Sequence, residues 1–417
     1  MPGDMHPLKV AHVVRRFAFD EWGGTENVVW NTVRRQREAG LEAEVLATSA
    51  LATTGEEERE GIRIRRFPYW YPYFPLPEKT RSVLDKKGGN PFTPPLFKAL
   101  EVGHFDLIHI HCGGRMAVMC GLLAHRLKIP CVISLHGGFA DVPAEELRKM
   151  MAPTKGLFHY GGILDRLFRL RRNPVADADA VICISHGEEK LLKERFPNKR
   201  IVYLPNGVDC GAFRVKPPCT PRAEWGIPKE RRLILCISRI DYQKNQKVLL
   251  NLLAEDASSH LLLIGPITAP GYCEELKTMA QKMKVAERLT IIPGLEHDDP
   301  RLKAILHEAQ LFVLPSIHEP FGIVALEAWA AGLPVIASNA GGLKDFIVHQ
   351  RNGLLFAPDD VSALVENYNS LMDDSELRSR LVAAALEDVQ EYSWETLSGR
   401  LTALYQELRS SFSTVKR

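Results

Sequence analysis

The chain has no C-x-x-C pair, no long apolar run and no surplus of one charge. Its eight cysteines stand singly, from Cys112 to Cys273, and Cys131, Cys183 and Cys236 sit within apolar, strand-like runs. Thiols placed in this way read as small core residues in a reducing compartment, which excludes a disulfide framework and a zinc site. Against 53 basic residues stand 51 acidic ones, so the formal charge is only +2 and no global field gathers nucleic acid. No apolar stretch reaches the about 20 residues that cross a bilayer. The segment Met1–Pro7 lacks the hydrophobic centre of a signal peptide. These absences point to a cytoplasmic protein and leave a peripheral place at the inner membrane face open. No G-x-G-x-x-G fingerprint follows the first strand-like run, which argues against a dehydrogenase.

What is there is the composition of an ordinary globular protein, 45% apolar and 25% charged over 417 residues, with room for two or three domains. Short β-rich runs alternate with helical patterns. In the first half the runs are Lys9–Val14, Glu44–Thr48, Leu107–His111, Cys131–Leu135, Ala180–Ile184 and Ile201–Leu204. In the second they are Leu233–Ser238, His260–Ile264, Thr290–Ile292, Leu311–Leu314 and Val335–Ala337. Amphipathic segments such as Thr25–Ala39, Lys247–Ala254 and Glu274–Met283 lie between them. The runs are nearly continuous and apolar, as in parallel sheets covered by helices on both faces. The rhythm lapses at Asp209–Pro228, a proline-rich linker signal, and Trp394–Leu408 reads as a closing helix. The fold expected is α/β, with two Rossmann-like parallel-sheet domains facing across a cleft. Ligands of such sheets bind outside the carboxyl ends of the strands, so function belongs in the loops that directly follow them.

Four of those loops carry suitable chemistry. After the first run come Trp22-Gly23-Gly24-Thr25-Glu26 and a helix start, where small residues and free N–H groups suit an anion, or form a plain tight turn. The run Cys131–Leu135 ends in His136-Gly137-Gly138, a histidine placed where a reacting group would sit, or a core histidine. The run Leu233–Ser238 leads into Arg239 and, five residues later, Lys244; one can grip a diphosphate as a fork and the other as a point charge. A solvated helix start is the plainer reading of that pair.

The sharpest pattern is Pro315–Glu327, PSIHEPFGIVALE. Glu319 falls in the loop after the run Leu311–Leu314, and Glu327 about two turns into a helix expected to start near Phe321. Backbone N–H groups of Phe321 and Gly322 lie between the two carboxylates and can donate to hydroxyls. Paired acceptors of this kind suit a sugar and a ribose. The small residues Ala328–Gly332 make the helix a buried one, and a carboxylate in so apolar a setting needs a partner.

The succession GGTE, LHGG, SHG to PNGVD, SRIDYQKN, EPFGIVALEAWAAGLPVIAS with NAGG, and a final SWETL resembles retaining glycosyltransferase family four, the glycogen-synthase-like and mannosyltransferase-like group, through essentially the whole chain. The stretch Glu319–Gly342 is highly specific, the Arg–Lys pair moderately so and the glycine loop weakly so. The resemblance implies the GT-B fold, with an acceptor domain over 1–208 joined by the helix 394–417 packing back on it, and a donor domain over 209–393. It implies that Glu319 contacts donor-sugar hydroxyls, Glu327 the ribose, and Arg239 with Lys244 the diphosphate. Phe321 and Gly322 offer N–H groups to the sugar, Pro293 and Gly294 pack on the base, and Gly23 and Gly24 lie beside the phosphates. His136 lies near the donor sugar.

The expected reaction moves a sugar from a nucleotide diphosphate sugar, UDP first and GDP next, to a hydroxyl of a glycan, lipid-linked or small-molecule acceptor, with retention and without metal or cofactor. Two segments of the first half bear on the acceptor. Pro68–Pro77 (PYWYPYFPLP) is a sugar-stacking, lipid-facing or merely rigid loop, and Leu164–Arg172 (LDRLFRLRR) is a basic amphipathic run or a solvated helix face. The rival readings are a phosphorylase or epimerase of the same architecture and a non-catalytic nucleotide-sugar-binding module; no nucleic-acid role has support.

Overall fold

The computed structural model describes residues 6–86, 88–137, 154–296 and 298–415. The chain divides into two compact units. The first runs up to Leu204 and resumes at Leu397; the second is Pro205–Thr396.

The strands of the first unit are β1 (Lys9–Arg16), β2 (Glu42–Thr48), β3 (Gly55–Arg59), β4 (Ile62–Phe67), β5 (Tyr73–Phe74), β6 (Leu107–Ile110), β7 (Cys131–Ser134), β8 (Phe158–His159), β9 (Ala180–Cys183) and β10 (Ile201–Tyr203). One sheet has the order β10-β9-β7-β6-β1-β2-β4-β3 and is parallel apart from the edge pair β3–β4. Successive side chains of a strand point to opposite faces. Ala11, Val13, Ile108 and Ile110 therefore pack on one face with Leu96, Leu100 and Met116. Val10, Val14, Leu107 and Val132 meet Val29 and Val33 of the helix Gly24–Glu38 and Leu401, Leu404 and Tyr405 of the helix Trp394–Val415 on the other. Each such aliphatic side chain taken out of water contributes about 2 kcal/mol. His12 and His109, register partners across β1 and β6, are polar residues buried on this second face.

The second unit holds β11 (Arg232–Ile237), β12 (Ser259–Ile264), β13 (Leu289–Ile292), β14 (Leu311–Leu314), β15 (Val335–Ser338) and β16 (Leu354–Phe356), all parallel in the order β13-β12-β11-β14-β15-β16. Every residue of β12 is buried, as expected of a strand covered on both faces.

Three features differ from the sequence expectation. The proline-rich stretch after Asp209 forms two short helices, Cys210–Arg214 and Pro221–Glu224; the Asp209 carboxylate accepts from Ala212 N–H in the first, and Pro221 starts the second. Strands β3 and β4 were invisible to a search for apolar runs because β4 reads IRIRRF, alternating at the sheet edge. The motif helix begins at Ile323 rather than near Phe321, because Gly322 takes φ +96° and cannot continue a right-handed helix, so Glu327 lies one turn in rather than two. Among the described residues no helix is long and apolar enough to cross a membrane, and all eight cysteines are free thiols.

Candidate active site

In the second unit the loops leaving β11, β14 and β15 are tied together. After β11, Asp241 accepts hydrogen bonds from Gln243 N–H and Lys244 N–H and forces a tight turn over Tyr242–Lys244. That turn directs Lys244 inward, where its ammonium lies 2.6 Å from Glu319 Oε2. Ser316 donates to the same oxygen at 3.1 Å, and both ions are buried. Ile317 N–H donates to the Gln243 carbonyl at 2.8 Å, fixing one loop against the other.

The loop after β15 clasps the Glu319 segment from the other side. Gly342 N–H donates to the Glu319 carbonyl at 2.9 Å. A Cβ on Gly341 (φ +56°) would come within 1.9 Å of that carbonyl oxygen, and one on Gly342 within 2.4 Å of the Pro320 oxygen. Sequence reading used the NAGG signature only to recognise the family; its glycines hold the Glu319 carbonyl. Gly265, after β12, was missed outright: at φ +151° a Cβ there would meet the Ser238 carbonyl oxygen at 2.0 Å.

Arg239 and Lys244, expected to grip a diphosphate as a fork and as a point charge, each lie beside a carboxylate of their own. Arg239 is half exposed, 3.2 Å from Asp241 Oδ2 and donating to Gln243 Oε1 at 3.0 Å. Glu327 is part-buried, and among the described residues its carboxylate has no hydrogen-bond partner. Burial pushes its carboxyl up to about 7, against a smaller opposing pull from Lys303. Phe321 is buried against Phe346, at 5.2 Å between ring centroids. Beyond β13, Pro293 is exposed and Gly294 takes φ +124°, 3.5 Å from Pro266 N for an added Cβ.

In the first unit, Gly23 caps the helix that begins at Gly24 with ordinary extended angles, so neither residue is glycine for its own backbone. A Cβ on Gly24 would meet nothing within 4 Å, whereas one on Gly23 would strike the Glu26 carboxylate, itself 3.0 Å from Arg16 Nε. Beside them a cavity of about 410 Å³ is lined by Arg15, Arg16, Glu26, Asn90, His111 and Gly113, among others.

His136 joins this region through a buried chain. Its Nε2 is 3.0 Å from His111 Nδ1; His111 Nε2 is 2.9 Å from His12 Nδ1; His12 Nε2 is 2.8 Å from the Gln36 amide oxygen. A neutral imidazole has one donor and one acceptor nitrogen. With the Gln36 oxygen accepting, all three rings carry the proton on Nε2, and His136 Nδ1 is left as a buried lone pair without a partner among the described residues. Burial lowers His12 and His136 to about 4, and His109 and His111 well below their ordinary value. Gly138, named with His136 in the sequence, lies outside the described residues.

His12, His109 and His111 offer nitrogens within 4.8 Å of one another, the spacing of a metal site. Their donor set does not fit one. Both nitrogens of each ring are hydrogen-bonded within the protein: those of His109 to Tyr405 and Ser134, those of the other two along the chain just described.

Two doubly wound units with charged and glycine-rich loops at their strand ends have the GT-B fold, and the matching family models make the chain a sugar-transferring enzyme. The chain belongs to glycosyltransferase family four. Residues 22–211 match the model described as Glycosyltransferase Family 4, and residues 220–388 that of Glycosyl transferases group 1. The D-inositol 3-phosphate glycosyltransferase 1 of Catenulispora acidiphila is 26% identical over 402 residues, covering 92% of this chain and 90% of its own. Sucrose-phosphate synthase of Thermosynechococcus elongatus superposes with a TM-score of 0.70 at 21% identity, over 97% of this chain and all of the other. HepE of Anabaena, solved with UDP and glucose, gives 0.68 at 18% identity over 96% of this chain and 100% of its own.

Proposed function

We propose that the protein is a retaining transferase that takes a sugar from a nucleotide diphosphate sugar, uridine first and guanosine next, and needs no metal. The observation that carries the reading is the buried Lys244–Glu319 pair at the ends of β11 and β14. An ammonium has three donors, so Lys244 can hold Glu319 with one and the departing diphosphate with another. Arg239 adds a second, accessible cation. As the anomeric bond breaks, negative charge grows on the diphosphate, and cations fixed beforehand stabilise it without reorganising.

Glu319, tied to Lys244 and Ser316, is a poor nucleophile and a good acceptor for sugar hydroxyls. Retention therefore follows from attack by the acceptor on the face the diphosphate leaves, with the acceptor proton passing to the leaving phosphate. Glu327, with no partner of its own, takes the ribose hydroxyls. Phe321 and Gly322 N–H groups serve the sugar, and Pro293 and Gly294 the base. In the first unit the open side of Gly24 leaves room for phosphate, and the His136 lone pair accepts from a sugar hydroxyl.

The acceptor occupies the cavity lined by Arg15, Arg16, Asn90 and His111. Two arginines beside hydrogen-bonding groups suit a phosphate-bearing polyol, free or as a lipid headgroup. That is the chemistry in the name of the inositol-phosphate relative. The test is a thermal-shift panel of UDP, GDP, ADP and their sugars, followed by nucleotide release with and without chelator. Stabilisation by no nucleotide, or release abolished by chelator and restored by a divalent metal, overturns the reading.

A further inference from the structure

Strands β5 and β8 join the two first-unit segments that the catalytic reading leaves unused. Tyr73 pairs with His159 and Phe74 with Phe158, and Tyr160 N–H donates to the Pro72 carbonyl at 3.1 Å. Phe92 is shared, 4.8 Å from Trp70 and 5.6 Å from Phe168 between ring centroids. The helix Gly161–Leu167 follows directly and ends inside the basic run, so the expected amphipathic face continues as an irregular turn.

The result is one region in which large apolar side chains face water. Phe74 is 70% exposed, Phe158 65%, Ile163 66%, Leu167 71%, Phe168 46% and Trp70 42%. Single exposed apolar residues are ordinary, but six on linked elements are not. Cations are interleaved with them: Lys155, Arg166, Arg169 and Arg171 are exposed, while Arg172 is held by Asp177 and Asp165 by Arg115. Over residues 154–172 the sequence has five basic residues and one acidic. Apolar tips alternating with arginines match a surface whose hydrocarbon lies just beneath phosphates, where rings enter the acyl boundary and guanidinium groups stay at the headgroups.

We propose that this region docks the protein on a bilayer surface rich in anionic lipid. The attachment is reversible and uses two signals, apolar insertion and charge. It does not depend on which nucleotide sugar the second unit takes.

The test is sedimentation of the full chain with vesicles of phosphatidylcholine alone or of two parts phosphatidylcholine to one part phosphatidylglycerol. Binding is expected only to the anionic vesicles, weakening as salt is raised. Each basic side chain near such a surface is worth roughly fivefold in partitioning, so Arg166→Glu with Arg171→Glu should lower it by at least roughly twentyfold. Phe74→Ser with Leu167→Ser should lower it comparably, while Leu191→Ser, an exposed apolar site elsewhere, should change nothing. Circular dichroism and donor hydrolysis without vesicles are expected to be unaltered in all of these variants. Loss of hydrolysis in the wild type would count against the transferase reading and not against docking. Equal partitioning to both vesicle types, undiminished binding by either double variant, or full competition by soluble glycerophosphate at matched phosphate concentration would overturn docking.

Discussion

The Lys244 ammonium lies 2.6 Å from Glu319 Oε2, across 75 residues of sequence and with both side chains buried. A pair so placed is costly to break from one side, since the remaining charge keeps its desolvation and loses its partner. Lys244→Ala and Glu319→Ala should each destabilise the second unit by about 3 kcal/mol, and the double variant by less than the sum. In transfer assays Lys244→Ala and Arg239→Ala should each cost about 2–4 kcal/mol in kcat/KM. Urea titrations and steady-state kinetics on the singles and the double check both statements; additive stability losses would mean that the two ions act separately.

The ribose role proposed for Glu327 would couple nucleotide binding to pH. A carboxyl raised to about 7 in the folded chain stabilises it fully below the ordinary value of 4.5, and that contribution disappears as pH rises through 7. Glu327→Gln should therefore gain stability relative to wild type between pH 5 and pH 8, by up to about 3 kcal/mol. In the proposed role the nucleotide should show the opposite trend: an ionised Glu327 would accept from ribose, so wild-type affinity for the diphosphate should fall below about pH 7. In Glu327→Gln affinity should be lower and flat with pH. Calorimetric titrations at several pH values decide it.

The histidine chain makes the first unit sensitive to acid. His12 and His136 titrate near 4 when folded and near 6.5 when unfolded. Their contribution is present above 6.5 and is lost as pH falls toward 4. The denaturation midpoint of wild type should drop between pH 7 and pH 5, and less so in His12→Asn. Gln36→Leu removes the acceptor that orients the chain, whereas Gln36→Glu keeps one. Nitrogen chemical shifts of labelled histidines should show the proton on Nε2 of His136 in wild type and Gln36→Glu, and a mixture in Gln36→Leu, with kcat lowered only in the last.

Gly341→Ala should place a methyl group into the Glu319 carbonyl and move the loop that holds the carboxylate. Turnover is expected to fall by at least tenfold, the cost of about 1.4 kcal/mol, with KM for the donor rising less. A mutant with wild-type kcat would show that the Glu319 loop tolerates displacement.

The strands of the two sheets were legible because they are buried on both faces and so read as unbroken apolar runs; β12, SHLLLI, is the clearest. Strands near the sheet margins escaped for the converse reason, since β4, next to the edge strand β3, is exposed at alternate positions and the edge strand β16 is three residues long. The motif carboxylates were legible from spacing, but the partner of Glu319 was not, because Lys244 and Glu319 follow different strands and meet only through the pairing of β11 with β14. His12 gave no signal within an apolar run. His109-Ile110-His111 did give one: two histidines at period two in a buried strand must face the same interior and must find partners there.

Tyr405 hydrogen-bonds to His109 and packs with Leu404 and Leu408 against β1, β2 and β6. The sheet it covers is translated first, and the covering helix comes after the whole of the second unit. During synthesis the second unit can therefore close while the first still shows water a hydrophobic face and an unfinished histidine network. Through that interval a nascent chain carries the kind of exposed apolar surface that makes incomplete folds prone to aggregate, and the final helix is the segment that covers it.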